Sequence, residues 1–326
     1  MRYVLRRFGS YLIAFWASLT LNFLLPKLVP GDPVGRMFNQ ISTTVTPDQV
    51  EQLRYLFGLD DAPLWQQYIR YIGNVFTGNL GLSISQFPTP VSAVIGAQIG
   101  WTVLLGGTAL LIAFGLGNLL GIMAAWRHGG VLDSVLPPVL ILVGSFPYFW
   151  LAMGALYLFA ATLGWFPLGQ AFTLGTTPEW SWSFVGDVLY HLVLPAATIV
   201  IVSIGGWVLG MRNTMIATTA EDYITMARAK GLRNGRIMYR YAARNAMLPA
   251  LTSFGMALGF VVGGALLTEV VFSYPGLGYQ LLRAVTTLDY PLMQGLFLTI
   301  TAAVLITNFL VDIAYVRLDP RIRVAR

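Results

Sequence analysis

The chain has 326 residues, 56% hydrophobic and 10% charged, with a formal net charge of +6 at pH 7 and a mean hydropathy of +0.68. Soluble domains carry roughly 25% charged residues, so a soluble enzyme and a disordered chain are both excluded, and the apolar surplus asks for a bilayer. Cysteine is absent, which removes disulfides, zinc–thiolate sites, iron–sulfur clusters and cysteine nucleophiles.

A bilayer span needs about 20 mostly apolar residues, and six stretches qualify, near 8–25, 96–125, 135–163, 189–211, 250–272 and 292–316. Arg2, Arg6 and Arg7 precede the first stretch, as in a signal peptide. Its apolar run is too long for one and no small-x-small cleavage site follows, so an uncleaved anchor is expected. Between the first two spans, Thr46-Pro-Asp-Gln49 fits a capping box that Gly58 can close. Asp61 can start a second helix carrying Trp65, Tyr68 and Tyr71, and Pro90 can open a third, shallow one leading to Trp101. The expected organisation is an anchor with an extracytoplasmic helical segment over 1–95, a transmembrane core over 96–316 and a tail over 317–326. Pro147 and Pro195 fall inside spans and should kink them.

Orientation follows from the basic residues. With the N-terminus inside, six spans place fifteen of the twenty Lys and Arg on the inner side and nine of the fourteen acids on the outer side. That bias favours N-in, C-in. A basic chain can also bind nucleic acid, but no aromatic–basic module supports that here. His128 and His191 stand in no metal-ligating spacing, so no metal site is expected.

The inner segment 212–249 is too polar to span and holds seven of the basic residues. Thr218-Thr-Ala-Glu221 fits a capping box, predicting a short helix from about residue 219, and Gly231 suits its left-handed end. Ala227 and Ala229 keep that helix slim, as docking into another protein's groove requires; an ordinary interfacial turn fits the same residues. Downstream, Arg233, Arg236, Arg240 and Arg244 fall within an arc of about 80° on an α-helix, with Ile237 and Tyr241 beside them. Anionic headgroups or a protein partner would each suit such a stripe.

The run from Tyr223 to Leu232, followed by Arg244-Asn-Ala-Met-Leu-Pro249, resembles the EAA loop of ABC-importer permeases. More narrowly it resembles the peptide/nickel branch, similar to dipeptide and oligopeptide permease B subunits. Thr225 stands where the general pattern has glutamate, and Leu248 lies seventeen residues after Gly231, as in that branch. Other pieces agree in order: Pro30-Gly-Asp-Pro33, Gly78-Asn-Leu-Gly-Leu-Ser83, the short loop from Arg127 to Asp133, the run from Glu269 to Gly278, Asp289-Tyr-Pro291, the run from Asn308 to Tyr315, and Asp319-Pro-Arg-Ile-Arg323.

This resemblance implies an all-α, type I (MetI-like) permease fold in the bacterial cytoplasmic (inner) membrane, with no catalytic residue. It implies a homologous second permease subunit, two cytoplasmic ATPase subunits that bind ATP and Mg, and an extracytoplasmic solute-binding protein. Glu221, Tyr223, Ala227, Arg228, Ala229, Lys230, Gly231 and Leu232 would then form the coupling helix that meets an ATPase. The chain has no GxxxxGK[ST] loop to cradle nucleotide phosphates, so no cofactor is expected on it. Short peptides are the expected cargo, with nickel chelates or glutathione as alternatives.

Candidate path-lining residues are Asn118, Ser145, Tyr148, Ser203, Ser253, Thr268 and Asn308, each of which also suits hydrogen bonding between helices. Glu269 and Asp312 lie near span ends, where a proton relay or a reach to the interface are the two readings. A gradient-driven secondary transporter would carry ion-coupling residues in mid-span and an internal repeat, and neither is evident. An intramembrane serine protease would have to pair Ser145 with His191, without a nucleophile-elbow setting.

Overall fold

The computed structural model describes residues 2–28 and 62–318, with Gly35, Glu51, Gln52, Arg54, Tyr55 and Phe57. The expectations placed on 30–33, 46–49, Gly58, Asp61 and 319–323 lie outside the described residues. Within them the chain is helical, and the only strand-like pairing is a single bridge between Leu82 and Pro90.

Four helices are long and apolar enough to cross a membrane: α1 (Arg2–Leu28), α3 (Val91–Trp126), α6 (Trp182–Thr219) and α12 (Tyr290–Leu318). Two bent helix pairs pass the same test, one broken by 92° between Gly144 and Tyr148 and one by 43° near Gly259, giving up to six crossings if each pair is one span. The first pair is α4 (Val131–Gly144) followed by α5 (Tyr148–Ala155), which continues as a π-helix over Leu156–Thr162. Pro147 caps α5 at its N-terminus, so the expected kink there is a full break. Pro195 behaves differently and stays inside the unbroken α6. The shallow helix expected from Pro90 to Trp101 is the first part of α3 itself. At 36 residues and 1.5 Å each, α3 runs about 54 Å, well beyond a hydrocarbon core of about 30 Å.

Shorter elements complete the chain: α2 (Leu64–Phe76), α7 (Asp222–Ala229), α8 (Asn234–Arg236) with a π-helix over Ile237–Ala242, α9 (Ala243–Gly264), α10 (Leu266–Val271) and α11 (Leu277–Thr287). The chain forms two compact units, Met1–Thr102 with Pro275–Ile313, and Val103–Tyr274 with Ala314–Arg326.

In the first unit α1 lies along α12. Asp312 accepts from Tyr11 Oη at 2.9 Å and meets Arg7 at 3.4 Å, which gives that carboxylate a structural partner. Tyr68 of α2 stacks edge-on against Trp16 and Phe23 of α1. The buried Asp289 caps α12 and ties down the loop before α3. It accepts from Ser83 Oγ at 2.5 Å, from Ser85 N and Oγ at 2.8 Å each, and from Leu292 N at 3.2 Å.

In the second unit α6 is the hub, touching α4, α5, α9 and α10. Helix α3 reaches it through two glycines one turn apart. A Cβ on Gly117 would stand 2.5 Å from Trp207 Cβ, and one on Gly121 would stand 2.6 Å from the Val208 carbonyl. Small residues at this spacing let two helix backbones approach, as membrane helix pairs require. Glu269 is fully buried on α10 and does not reach a surface. His191 is buried too, with Nδ1 2.9 Å from the Asp187 carbonyl.

Candidate functional site

The segment after α6 is a largely exposed polar part of the second unit. Helix α7 begins at Asp222, with Glu221 as its N-cap residue and no side-chain capping bond. The capping box expected at 218–221 does not form because α6 continues to Thr219. Thr218 Oγ1 and Thr219 Oγ1 donate back to the Thr214 and Ile216 carbonyls of their own helix.

The C-terminal end follows the sequence reading. Gly231 has φ +70°. Its N–H donates to the Arg228 carbonyl at 2.9 Å, and the Leu232 N–H reaches back to the Ala227 carbonyl at 3.3 Å. These two bonds are the Schellman arrangement, which satisfies carbonyls the helix end would otherwise leave bare. It needs a left-handed residue at its centre, where glycine has no Cβ penalty.

One stripe of α7 is anchored in its own chain. Ile224 and Ala227 are buried in a cluster with Ile122, Ala125, Met211, Met215, Ile237 and Ala246, and Leu232 packs against it. Ala227 and Leu232 therefore face inward, unlike the rest of the expected docking set. Glu221, Tyr223, Arg228, Ala229, Lys230 and Gly231 are exposed, as is Met226. Tyr223 accepts from Asn245 Nδ2 at 2.8 Å, and the Arg228 guanidinium lies 5.9 Å from the Trp126 ring centroid.

The basic stretch departs from a regular α-helix. The π-helix over Ile237–Ala242 inserts one residue per turn relative to α-geometry. Its effect is to align Ile237, Ala242 and Ala246, spaced five and four residues apart, on the buried face. Ile237 is thus core rather than neighbour to the arginines. Arg233, Arg236, Arg240 and Arg244 are all exposed, but the extra residue breaks the single stripe expected from α-helical spacing.

Beneath this platform, Asp133 joins three elements. It accepts from Arg212 Nε at 2.5 Å and Nη2 at 3.1 Å, from Gly129 N at 2.9 Å, and lies 2.7 Å from His128 Nδ1. The pair closes the short loop between α3 and α4 onto α6, the helix that leads into α7. Nothing in the local sequence pairs residues this far apart. The Gly117-Asn-Leu-Leu-Gly121 spacing, by contrast, is a small-xxx-small motif visible in the sequence. On α6, Gly205 also packs, with a Cβ position 3.4 Å from Leu140, while Gly206 is open.

Three expected path residues come together. Asn118, Ser203 and Ser253 line one cavity of about 350 Å³, with Gly206, Trp207 and Thr214 around them. Asn118 is buried, its Nδ2 donating to the Phe114 carbonyl at 2.7 Å, while its Oδ1 has no partner among the described residues. Ser203 Oγ donates to its own helix at Ile199 and keeps its lone pairs for another donor. The other four lie elsewhere. Ser145 is exposed and donates to the Ile141 carbonyl, so it has no contact with His191 of the kind a protease needs. Tyr148 is half-buried, Thr268 is buried, and Asn308 is half-buried on α12. Among the described residues no group of three His, Asp or Glu side chains is arranged to hold a metal.

Comparison with known proteins bears on the whole chain. The family described as "Binding-protein-dependent transport system inner membrane component" matches residues 117–324, and its companion N-terminal family matches residues 1–97. A provisionally named peptide permease protein of Brucella suis biovar 1 is 40% identical over 327 residues, covering 99% of both chains. The di/tripeptide transport system permease protein DppB of Pseudomonas aeruginosa is 34% identical over 343 residues, again 99% of each. The oligopeptide transport system permease protein AppB of Bacillus subtilis is 31% identical over 320 residues, 98% of each. With its all-α, multi-pass architecture, the chain belongs to the binding-protein-dependent transport system inner membrane component family.

Proposed function

We propose that this chain is one transmembrane half of an ATP-driven importer of short peptides. It crosses the bacterial inner membrane six times with both termini in the cytoplasm, and pairs with a homologous second subunit. Two cytoplasmic ATPases supply the energy, with ATP and Mg held on them, and a solute-binding protein delivers cargo from outside. The chain itself performs no catalysis. The names of its relatives support peptides over nickel chelates or glutathione.

The observation that carries the coupling role is the division of α7 into two faces. Ile224 and Ala227 fix it to the core, and the exposed side offers Tyr223, Met226, Arg228, Ala229 and Lys230. A short helix held rigid on one side and bare on the other can push and be pushed without unfolding. Its motion passes to α6, which lines the cavity of Asn118, Ser203 and Ser253. That cavity offers mostly uncharged acceptors, suited to a cargo with amide and ammonium donors.

An Ala229→Trp substitution tests the docking face, because Ala229 is exposed and has helical backbone. Membrane insertion and subunit expression should be unchanged, while ATP hydrolysis stimulated by loaded binding protein should fall at least tenfold. Full stimulation in the variant would refute docking through this face.

A further inference from the structure

Helix α2 is too short to be a span, and its sides differ. At 13 residues and 1.5 Å each it runs about 20 Å, against a hydrocarbon core of about 30 Å. At 100° per residue its side chains sort into three sectors whose centres stand roughly 120° apart. Tyr68, Val75 and Tyr71 form the first, and the two tyrosine rings pack on Phe23 of α1 at 5.3 and 5.7 Å between centroids. Trp65, Ile69 and Phe76 form the second, which packs on nothing: they are 63%, 62% and 71% exposed. Gln66, Arg70 and Asn74 form the third, a polar sector.

The contacts with α1 fix the depth of α2. The apolar crossing stretch of α1, Arg7–Leu28, has 22 residues, about 33 Å of helix, so its Leu28 end marks one edge of the hydrocarbon core. Tyr68 Oη shares a hydrogen bond with Thr20 Oγ1 at 2.8 Å, and its ring meets Trp16 and Phe23 edge-on. Thr20 lies about 12 Å along the helix from Leu28. One residue before Tyr68, Gln67 accepts from Lys27 Nζ, next to that edge. Helix α2 thus lies between these two levels, where acyl chains give way to headgroups.

We infer that α2 is an interfacial helix whose Trp65–Ile69–Phe76 stripe is seated in the lipid of the bilayer. At this depth an exposed apolar side chain faces acyl chains, and tryptophan is enriched at that level. The stripe also continues a surface the bilayer already covers: Trp16, which touches Tyr68, is exposed on α1, as are Leu12 and Ile13. A soluble partner arriving from the water would meet the polar sector instead. Because the α1-facing and lipid-facing sectors are about 110° apart, seating the stripe also fixes how α1 is rotated about its own axis.

The test uses the intact importer in phosphatidylcholine vesicles, with a nitroxide on single cysteines placed at Ile69, Phe76, Gln66 or Asn74 in this cysteine-free chain. All four positions are exposed, so the label should not disturb folding. Collision with oxygen, which concentrates in lipid, is compared with collision with a water-soluble nickel chelate. Ile69 and Phe76 should favour oxygen about fivefold more than Gln66 and Asn74 do, as an interfacial helix requires. Preference for the nickel chelate at Ile69 and Phe76 would place the stripe in water and overturn the proposal. Weak collision with both reagents there would place it against protein and overturn it equally. The inference rests on α1 as a span and is read without nucleotide or cargo, so its failure would leave the importer reading untouched.

Discussion

Replacing Gly231 by a graded series of residues isolates the backbone requirement of the coupling loop. At φ +70°, a Cβ added to Gly231 would meet nothing within 4 Å, so steric contact contributes no cost. What remains is the left-handed conformation, which costs an L-residue about 1–2 kcal/mol and costs asparagine less. Gly231→Asn should therefore cost a few tenths of a kcal/mol, Gly231→Ala about 1 kcal/mol, and Gly231→Val about 2 kcal/mol. About 1.4 kcal/mol is a tenfold change in an equilibrium. The uncapped population should rise roughly fivefold for Ala and more than tenfold for Val. Hydrogen exchange of the Gly231 and Leu232 amides, whose N–H groups make the two capping bonds, reads this directly. ATPase stimulation in proteoliposomes should fall in the same order. If Asn and Val exchange at the same rate, the cap is not held by the sign of φ and the reasoning fails.

Three further substitutions probe other links. Asp133→Ala leaves Arg212 without its partner and should destabilise the chain by about 3 kcal/mol, typical of breaking a buried ion pair. Asp133→Leu with Arg212→Met should recover most of that loss in thermal unfolding, and equal losses in both variants would show that the pair is not coupled. Gly121→Leu must separate α3 from α6, because its Cβ would stand 2.6 Å from a backbone oxygen; unfolding should shift by at least 2 kcal/mol, whereas Gly107→Ala, which meets nothing within 4 Å, should be neutral or slightly stabilising. In this cysteine-free chain, single cysteines at Asn118, Ser203 and Ser253 should react with a small polar maleimide in an ATP-dependent manner, while one at Leu251 should not. Labelling that ignores nucleotide would remove the cavity from the transport cycle.

Some of this was legible residue by residue. Gly231 announced its own role, since a glycine after a short periodic run has one common structural use. Pro147 marked the place where α4 and α5 part, although a kink was expected there and the structure has a 92° break. Pro195 carried the same local signal and did not break α6, which packs on four other helices and runs unbroken through that point. Ala227 and Ala229 look alike in sequence, yet one is core and the other surface; two small residues carry no pattern from which to choose a face. The Thr218–Glu221 capping signature was outcompeted by α6, which continues through Thr218 and Thr219. The cavity was half legible. Polar residues in apolar helices were easy to name, but which of them share a space depends on how the helices lean together.

The π-helix at Ile237–Ala242 constrains the gene as well as the protein. The chain carries one residue more there than an α-helix would need, and everything after it is in phase with the core only because of that excess. Substitutions along this stretch alter one side chain each. Deleting a single codon would turn α9 by about 100° relative to α7 and carry Ala246 off the buried face. Related permeases should therefore tolerate changes of identity in this segment far better than changes of its length.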